Sequence, residues 1–457
     1  MKRTLLQIEQ LRIFNQTISA RISQGELIAI IGPNRSGKTT LAKVLCRAHS
    51  NYEGGITRFI DPSQIAFSDY SANSVKFHYA DFYYQQRYDS NAASLQNIKA
   101  YLGYDPGDTY AKTLLNLVLS EGVLQKQLIE LSSGETRKVL LLKNLLKRAE
   151  VYLLDNPFTG LDVQATHNFI QLFHLITTQF GKTILLLLND NSLNINFSQV
   201  IALQKQADRQ WDNVIHSSFF NTPSTDFKTV FQINNGDIIA GEKVLINQVN
   251  WTIKKGEKWL LRGKNGSGKS TLMSLLNADN PAAYRLGITL FDRRRGSGES
   301  IWDIKAKIGF VSPEIQQFWN LSHKVKDIIC SGFTGTIYLN RQLDTTELES
   351  YKNLIQLFGL KDLENAVLGS LSSGEKRMVM VARALVKNPP VLILDEPFQG
   401  LDQSNFHFLH EFLNHCVDEN RTVIQITHLD KEVLPGMNHL AVIDQERLKI
   451  GIEQQHR

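Results

Sequence analysis

The segment GPNRSGKTT at residues 32–40 recurs as GKNGSGKST at residues 263–271. Two further blocks repeat with it. LSSGE at Leu131–Glu135 returns unchanged at Leu371–Glu375, and VYLLDNPFTGLD at Val151–Asp162 returns as VLILDEPFQGLD at Val391–Asp402. The blocks keep their order and are displaced by 231, 240 and 240 residues, so the chain consists of two homologous halves. At 457 residues it is about three times a ~150-residue domain, and each half is long enough to bury its own core. The polar, Ser/Thr- and Pro-containing stretch from Trp211 to Lys228 interrupts the apolar runs and marks the junction. The expected organisation is a first domain over 1–212, a short linker over 213–227 and a second domain over 228–457.

Local pattern gives each half an α/β fold. LIAII (Leu27 to Ile31) and KWLLR (Lys258 to Arg262) are apolar runs that stop at a glycine. Each is followed by a glycine-rich turn and then by an apolar-periodic stretch, TLAKVL or TLMSLL, which reads as strand, loop and helix. VYLLD, VLILD, TILLLL (Thr183 to Leu188) and TVIQIT (Thr422 to Thr427) read as strands buried on both faces, as in a parallel sheet covered by helices.

G-x-x-x-x-G-K-[ST] is a phosphate cradle. Its glycines let successive backbone N–H groups turn toward a β-phosphate, and the helix N-terminus adds a positive dipole; the lysine reaches β/γ oxygens and the hydroxyl binds Mg²⁺. These roles fall to Gly32, Gly37, Lys38 and Thr39 in the first half and to Gly263, Gly268, Lys269 and Ser270 in the second. Asp155 and Asp395 each end a buried strand beside a cradle, where a carboxylate can hold Mg²⁺ through its water shell. Either one alone could equally cap the following turn.

The halves differ where a hydrolase needs a proton acceptor. Glu396 follows Asp395 and can accept a proton from a water attacking the γ-phosphate; the matching residue in the first half is Asn156, which can orient water but cannot take its proton. TVIQITH ends in His428, able to bridge a γ-phosphate, whereas the aligned TILLLLN ends in Asn189. Glutamate and histidine occur together in one half and are missing together from the other, which favours a catalytic over a structural reading of His428.

Composition narrows the remaining choices. With 42% hydrophobic and 21% charged residues the chain is neither disordered nor fibrous. A net charge of +5, without a basic tail or acidic arm, gives no indication of a nucleic-acid partner and does not exclude one. Cys46, Cys330 and Cys416 are far apart and read as small buried hydrophobes, not as metal or disulfide pairs. The N-terminal TLLQIEQL carries Gln and Glu where a signal peptide needs an unbroken apolar stretch, and no segment approaches the ~18 apolar residues of a membrane span. The expected location is the cytoplasm, with contact to the inner face of the cell membrane only through a partner.

These motifs resemble the ATP-binding cassette (ABC) family over nearly the whole chain, in the ModF-type tandem arrangement associated with molybdate transport or photorepair. LSSGETRK and the stretch from Thr289 to Glu314 carry that closer likeness. The resemblance implies two P-loop cassettes, each a mainly parallel sheet with flanking helices, a helical subdomain and an antiparallel β part. It also implies that ATP sits between the Walker motifs of one cassette and the signature of the other. On that pattern Gly263, Asn265, Gly266, Ser267, Gly268, Lys269, Ser270 and Thr271, with metal ligand Asp395 and catalytic Glu396 and His428, meet signature residues Ser132, Ser133 and Gly134 in a hydrolytic site. Gly32, Asn34, Ser36, Gly37, Lys38, Thr39 and Thr40, with Asp155 and the degenerate Asn156 and Asn189, meet Ser372, Ser373 and Gly374 in a site that binds ATP but hydrolyses it poorly.

Several positions depart from the family pattern. A coupling glutamine that touches the metal is expected at Gln85 or Gln86 in the first half, whereas the second half reads VSPE, with Pro313 at that position and Glu314 or Gln316 nearby. No aromatic residue stands where the family stacks adenine; Ile8 and Ile239 fall there, which predicts tolerance of GTP. Arg293–Arg295 read as a solvated turn, or else as a contact for an anionic partner. The function expected from the resemblance is an Mg²⁺-dependent ATPase serving a separate transmembrane permease; the alternative is a soluble ATPase acting on a ribosome, nucleic acid or regulatory complex. The two cassettes could pair within one chain or between two chains.

Overall fold

The computed structural model of the protein describes residues 2–13, 16–34, 36–47, 52–69, 97–126, 131, 133–191, 193–204, 222–240, 243–313, 315, 319–337, 339 and 341–452. The described residues up to 204, with Gly400–Gln403, form one compact unit; those from 222 to 399 and from Ser404 onward form another.

In the first unit, five parallel strands lie in the order Ile65–Asp69, Val151–Asp155, Thr183–Leu188, Leu27–Ile31 and Gln199–Ala202. Successive side chains of a strand point to opposite faces, and here both faces are covered. Val151 and Leu153 enter a core with Leu41 and Val44 of the helix Lys38–Leu45; Tyr152 and Leu154 enter another with Phe169 and Phe173 of the helix Val163–Thr178. That double burial explains why these strands are apolar runs without alternation. A separate antiparallel sheet, in the order Gln16–Ser23, Thr4–Ile13 and Glu53–Arg58, contributes Leu6, Ile8 and Ile22 to the first of those cores.

The second unit repeats the parallel order. Ile308–Val311, Val391–Asp395, Thr422–Ile426, Lys258–Gly263 and His439–Asp444 are neighbours in turn, all parallel. Here the antiparallel part is continuous with the parallel one. His439–Asp444 pairs with Arg447–Ile452, which leads through Lys243–Lys254 and Thr229–Ala240 to the short strands Thr289–Leu290 and Arg293–Arg294, giving ten strands in one sheet. Trp251 and Trp259 meet edge to face at 5.3 Å inside its core.

In both units the cradle strand is separated from the aspartate-bearing strand by one strand, the one that leads into Asn189 or His428. Parallel strands bring their carboxyl ends to one edge, the edge at which open α/β sheets bind ligands.

Candidate active site

Each cradle is built on a glycine that only its own backbone allows. Gly37 and Gly268, immediately before the helices Lys38–Leu45 and Lys269–Leu276, take φ of 96° and 100°, in the left-handed region that side chains disfavour. At Gly32 a Cβ would come within 2.6 Å of Ser36 Oγ, and at Gly263 within 2.7 Å of Ser267 Oγ. Each loop therefore closes over its own first glycine. Ser36 Oγ and Ser267 Oγ are buried with no hydrogen-bond partner among the described residues, which suits a loop whose polar groups are completed by bound phosphate.

The lysines lie along the loops. Lys38 donates to the carbonyls of Gly32 and, at 2.8 Å, Pro33; Lys269 donates to those of Gly263 at 2.6 Å and Lys264 at 3.0 Å. Burial pushes the Lys38 ammonium down to about 8, against the pull of Asp155. In the first unit Thr39 Oγ1 donates to Asp155 at 2.6 Å, so the hydroxyl and carboxylate expected to share Mg²⁺ already meet. Hard oxygen donors with a single carboxylate suit Mg²⁺, which keeps most of its water and takes phosphate oxygens. Ser270 opens the equivalent helix in the second unit and Asp395 ends the strand Val391–Asp395.

Beyond the aspartates the units diverge. His428 Nε2 lies 3.5 Å from Glu396 Oε1, and Gln399 Nε2 donates to Glu396 Oε2 at 2.7 Å. Burial raises the Glu396 carboxyl from its ordinary value against the pull of Arg377 and Lys269, making it a stronger base than a solvated glutamate. In the first unit the Asn156 amide donates to Asp155 Oδ1 at 3.0 Å, and Asn189 follows the strand Thr183–Leu188.

The signature of the second unit shows why its last residue is glutamate. Ser372 caps the helix Ser373–Leu385: its hydroxyl accepts from the Glu375 N–H at 3.3 Å, and Glu375 accepts from the Ser372 N–H at 2.8 Å. Gly374 is buried in the first turn. Ser133 and buried Gly134 open the matching helix Ser133–Leu145, whose Glu135 pairs with Lys126 at 2.6 Å. Ser132, Gln85, Gln86, Glu314 and Gln316 lie outside the described residues. Asn34 is buried in the first cradle, Gly266 takes φ of 77° in the second, and Thr40, Asn265 and Thr271 are half-buried.

One sequence expectation, solvation of the whole Arg293–Arg295 turn, changes, while the absence of a ring at the two positions counted for adenine stacking stands. Ile8 is 2% exposed and belongs to the hydrophobic core, so its side chain is not free to face a base; Ile239 is half-buried. Arg295 is not solvated. It pairs with Glu299 at 2.7 Å, donates to Tyr284 Oη at 2.9 Å and stacks over that ring, while Arg293 and Arg294 are exposed. The sequence reading also passed over Arg377 and Gln399, which bond each other beside Glu396. An arginine two residues after LSSGE in both halves, Arg137 and Arg377, was the available signal.

Two glycine cradles at the carboxyl edges of parallel sheets, each with its lysine, hydroxyl and aspartate, define P-loop nucleotide-binding units. The chain belongs to the ABC transporter family, whose profile matches residues 15–159 and 246–399, and like that family it is an ATP-binding ATPase. It is 30% identical to the ABC transporter ATP-binding protein ModF of Escherichia coli over 91% of this chain and 90% of that protein. It is 28% identical to an uncharacterized ABC transporter ATP-binding protein of Schizosaccharomyces pombe over 95% of this chain and 96% of that protein. It is 29% identical to the zinc uptake system ATP-binding protein ZurA of Listeria monocytogenes, over 50% of this chain and 88% of that protein. Among the described residues, no helix is long and apolar enough to cross a membrane.

Proposed function

We propose that the chain is the ATPase component of a transport system, with cassettes over 1–212 and 228–457 joined by 213–227, and that its two nucleotide sites work unequally. The site built on Lys269, Ser270, Asp395, Glu396 and His428 hydrolyses ATP; the site built on Lys38, Thr39 and Asp155 retains it. The observation that carries this reading is the Glu396–His428 approach at 3.5 Å, set against Asn156 turned toward Asp155 in the other unit.

The geometry supports a route for hydrolysis. The cradle N–H groups and Lys269 hold the phosphates, Glu396 takes a proton from the attacking water, and His428 orients the γ-phosphate beside it. Mg²⁺, held by Thr39 and Asp155 or by Ser270 and Asp395, would offset charge developing on the β/γ oxygens. At the first site the residue aligned with Glu396 is Asn156, whose amide cannot take the proton, so ATP there acts as a clamp.

The transport role draws support from the relatives' names, and molybdate from the ModF likeness. The test is a crosslinked pull-down of the Glu396→Gln variant with ATP, from solubilised membranes and from cytosol. Recovery of a stoichiometric multi-span membrane protein is expected. Recovery of ribosomal or nucleic-acid-bound partners alone would end the transport reading.

A further inference from the structure

The turn after the aspartate has the same backbone in both units. Asn156 and Glu396 each take φ of 47°, and each accepts from the N–H three residues on, Thr159 or Gln399, at 3.2 Å. Gly160 and Gly400 follow at 78° and 79°. An arginine of the helix that opens at the signature approaches both turns. With the scaffold in common, two differences in side chain stand out: asparagine against glutamate, and Thr159 against Gln399.

In the second unit those two side chains touch. Gln399 Nε2 donates to Glu396 Oε2 at 2.7 Å, and Gln399 Oε1 accepts from Arg377 Nη2 at 2.9 Å. Arg377 is 2% exposed, and its Nε also donates to the Gln399 carbonyl at 3.4 Å. The buried guanidinium can only donate, so it fixes which end of the amide faces it and leaves the NH₂ end for the carboxylate. One oxygen of Glu396 is thereby held by Gln399, while the other faces His428. In the first unit Arg137 Nη2 donates instead to the main-chain carbonyl of Asn156 at 2.7 Å. The arginine is retained there, but the glutamine and the carboxylate it would hold are both gone.

We infer that Gln399 is a positioning residue for hydrolysis, a hydrogen-bonded strut from buried Arg377 that holds the Glu396 carboxylate in one orientation toward the attacking water. The inference rests on Glu396 being the base. A glutamate side chain has three rotatable bonds, and a misplacement of about 1 Å at a reacting group can cost ~10²-fold in rate, so one held oxygen confines the other to the reactive geometry.

The test uses the full chain with three substitutions: Gln399→Thr, the residue of the first cassette; Gln399→Met, which keeps the volume and loses both hydrogen bonds; and Glu396→Gln as reference. Steady-state phosphate release should fall about 10–100-fold in kcat for both Gln399 variants. ATP affinity by equilibrium nucleotide binding should stay at the parental value, while the thermal midpoint should fall by a few degrees in Gln399→Met, where buried Arg377 loses an acceptor. In a Glu396→Gln background, adding Gln399→Thr should cause no further loss, because no carboxylate remains to be held. Parental kcat in both Gln399 variants, with Glu396→Gln inactive, would overturn the strut and leave the base assignment standing. A further loss on the Glu396→Gln background, or loss of ATP affinity in step with kcat, would also overturn it. Sustained turnover by Glu396→Gln would instead remove the base assignment itself.

Discussion

His428 Nε2 stands 3.5 Å from Glu396 Oε1, although 32 residues separate them along the chain. They meet because adjacent parallel strands, Val391–Asp395 and Thr422–Ile426, end at the same edge of the sheet. The pair should act as a unit. Glu396→Gln is expected to lower kcat by about 10²–10⁴-fold. His428→Ala should lower it too, and the double variant should be no slower than Glu396→Gln alone. Steady-state phosphate release on the three proteins checks this, and full additivity would separate the two roles.

Base recognition should be loose. Ile8 is committed to the core and Ile239 offers no ring, so neither of these positions supplies base stacking, worth about 0.5–1.5 kcal/mol, and the phosphates should dominate affinity. GTP should compete with a labelled ATP analogue within about tenfold of ATP itself, a difference of about 1.4 kcal/mol. Rejection of GTP by a hundredfold or more would contradict this.

The loop from Arg293 to Glu299 should be acid-sensitive. Burial would raise the Glu299 carboxyl, but the N–H groups of Gly296 and of Glu299 itself, the Ser297 hydroxyl and Arg295 outweigh it and draw it down to about 2. A folded-state value below the ordinary 4.5 means that the contribution is complete above pH 4.5 and is lost as the pH falls from there toward 2. Glu299→Gln should lower the melting temperature at neutral pH and flatten its decline between pH 4.5 and 3. An unchanged acid limb, measured by differential scanning calorimetry, would count against the assignment.

Thr222, the first described residue after 205–221, is tied into the second unit. Its N–H and hydroxyl donate to Asp418 at 2.9 and 2.6 Å, and fully buried Arg421 donates to Thr222 Oγ1 at 2.9 Å and to Asn388 at 2.6 Å. Arg421→Ala removes two charge-assisted hydrogen bonds from the interior, a loss of about 3 kcal/mol. The expected result is a lower unfolding temperature for the second unit and faster proteolysis between Thr222 and Lys228. Parental proteolysis rates would show that the segment is held by other contacts.

The repeat, the cradles and the aspartate-tipped strands were all legible in the sequence because each is local. A glycine required at positive φ, a lysine one residue into a helix and an apolar run buried on both faces leave their marks within a few consecutive residues. The asymmetry of the two halves could be read in the same way, since Asn156 and Asn189 stand at positions aligned with Glu396 and His428.

Tertiary structure decided what depends on residues distant in the chain. Arg295 belongs to a basic run, and only its packing against Tyr284 and Glu299 separates it from its two exposed neighbours. Ile8 matched a nucleotide-facing position by counting, but its strand's register with Gln16–Ser23 and Glu53–Arg58 turns it into the core. Gln399 gained its role from a buried arginine 22 residues earlier on another element. Local backbone demands, written into consecutive residues, mark which residues can bind nucleotide. Which neighbours hold those residues in place was decided by strand order and burial, because hydrogen-bond partners and dielectric surroundings arise only when distant segments pack.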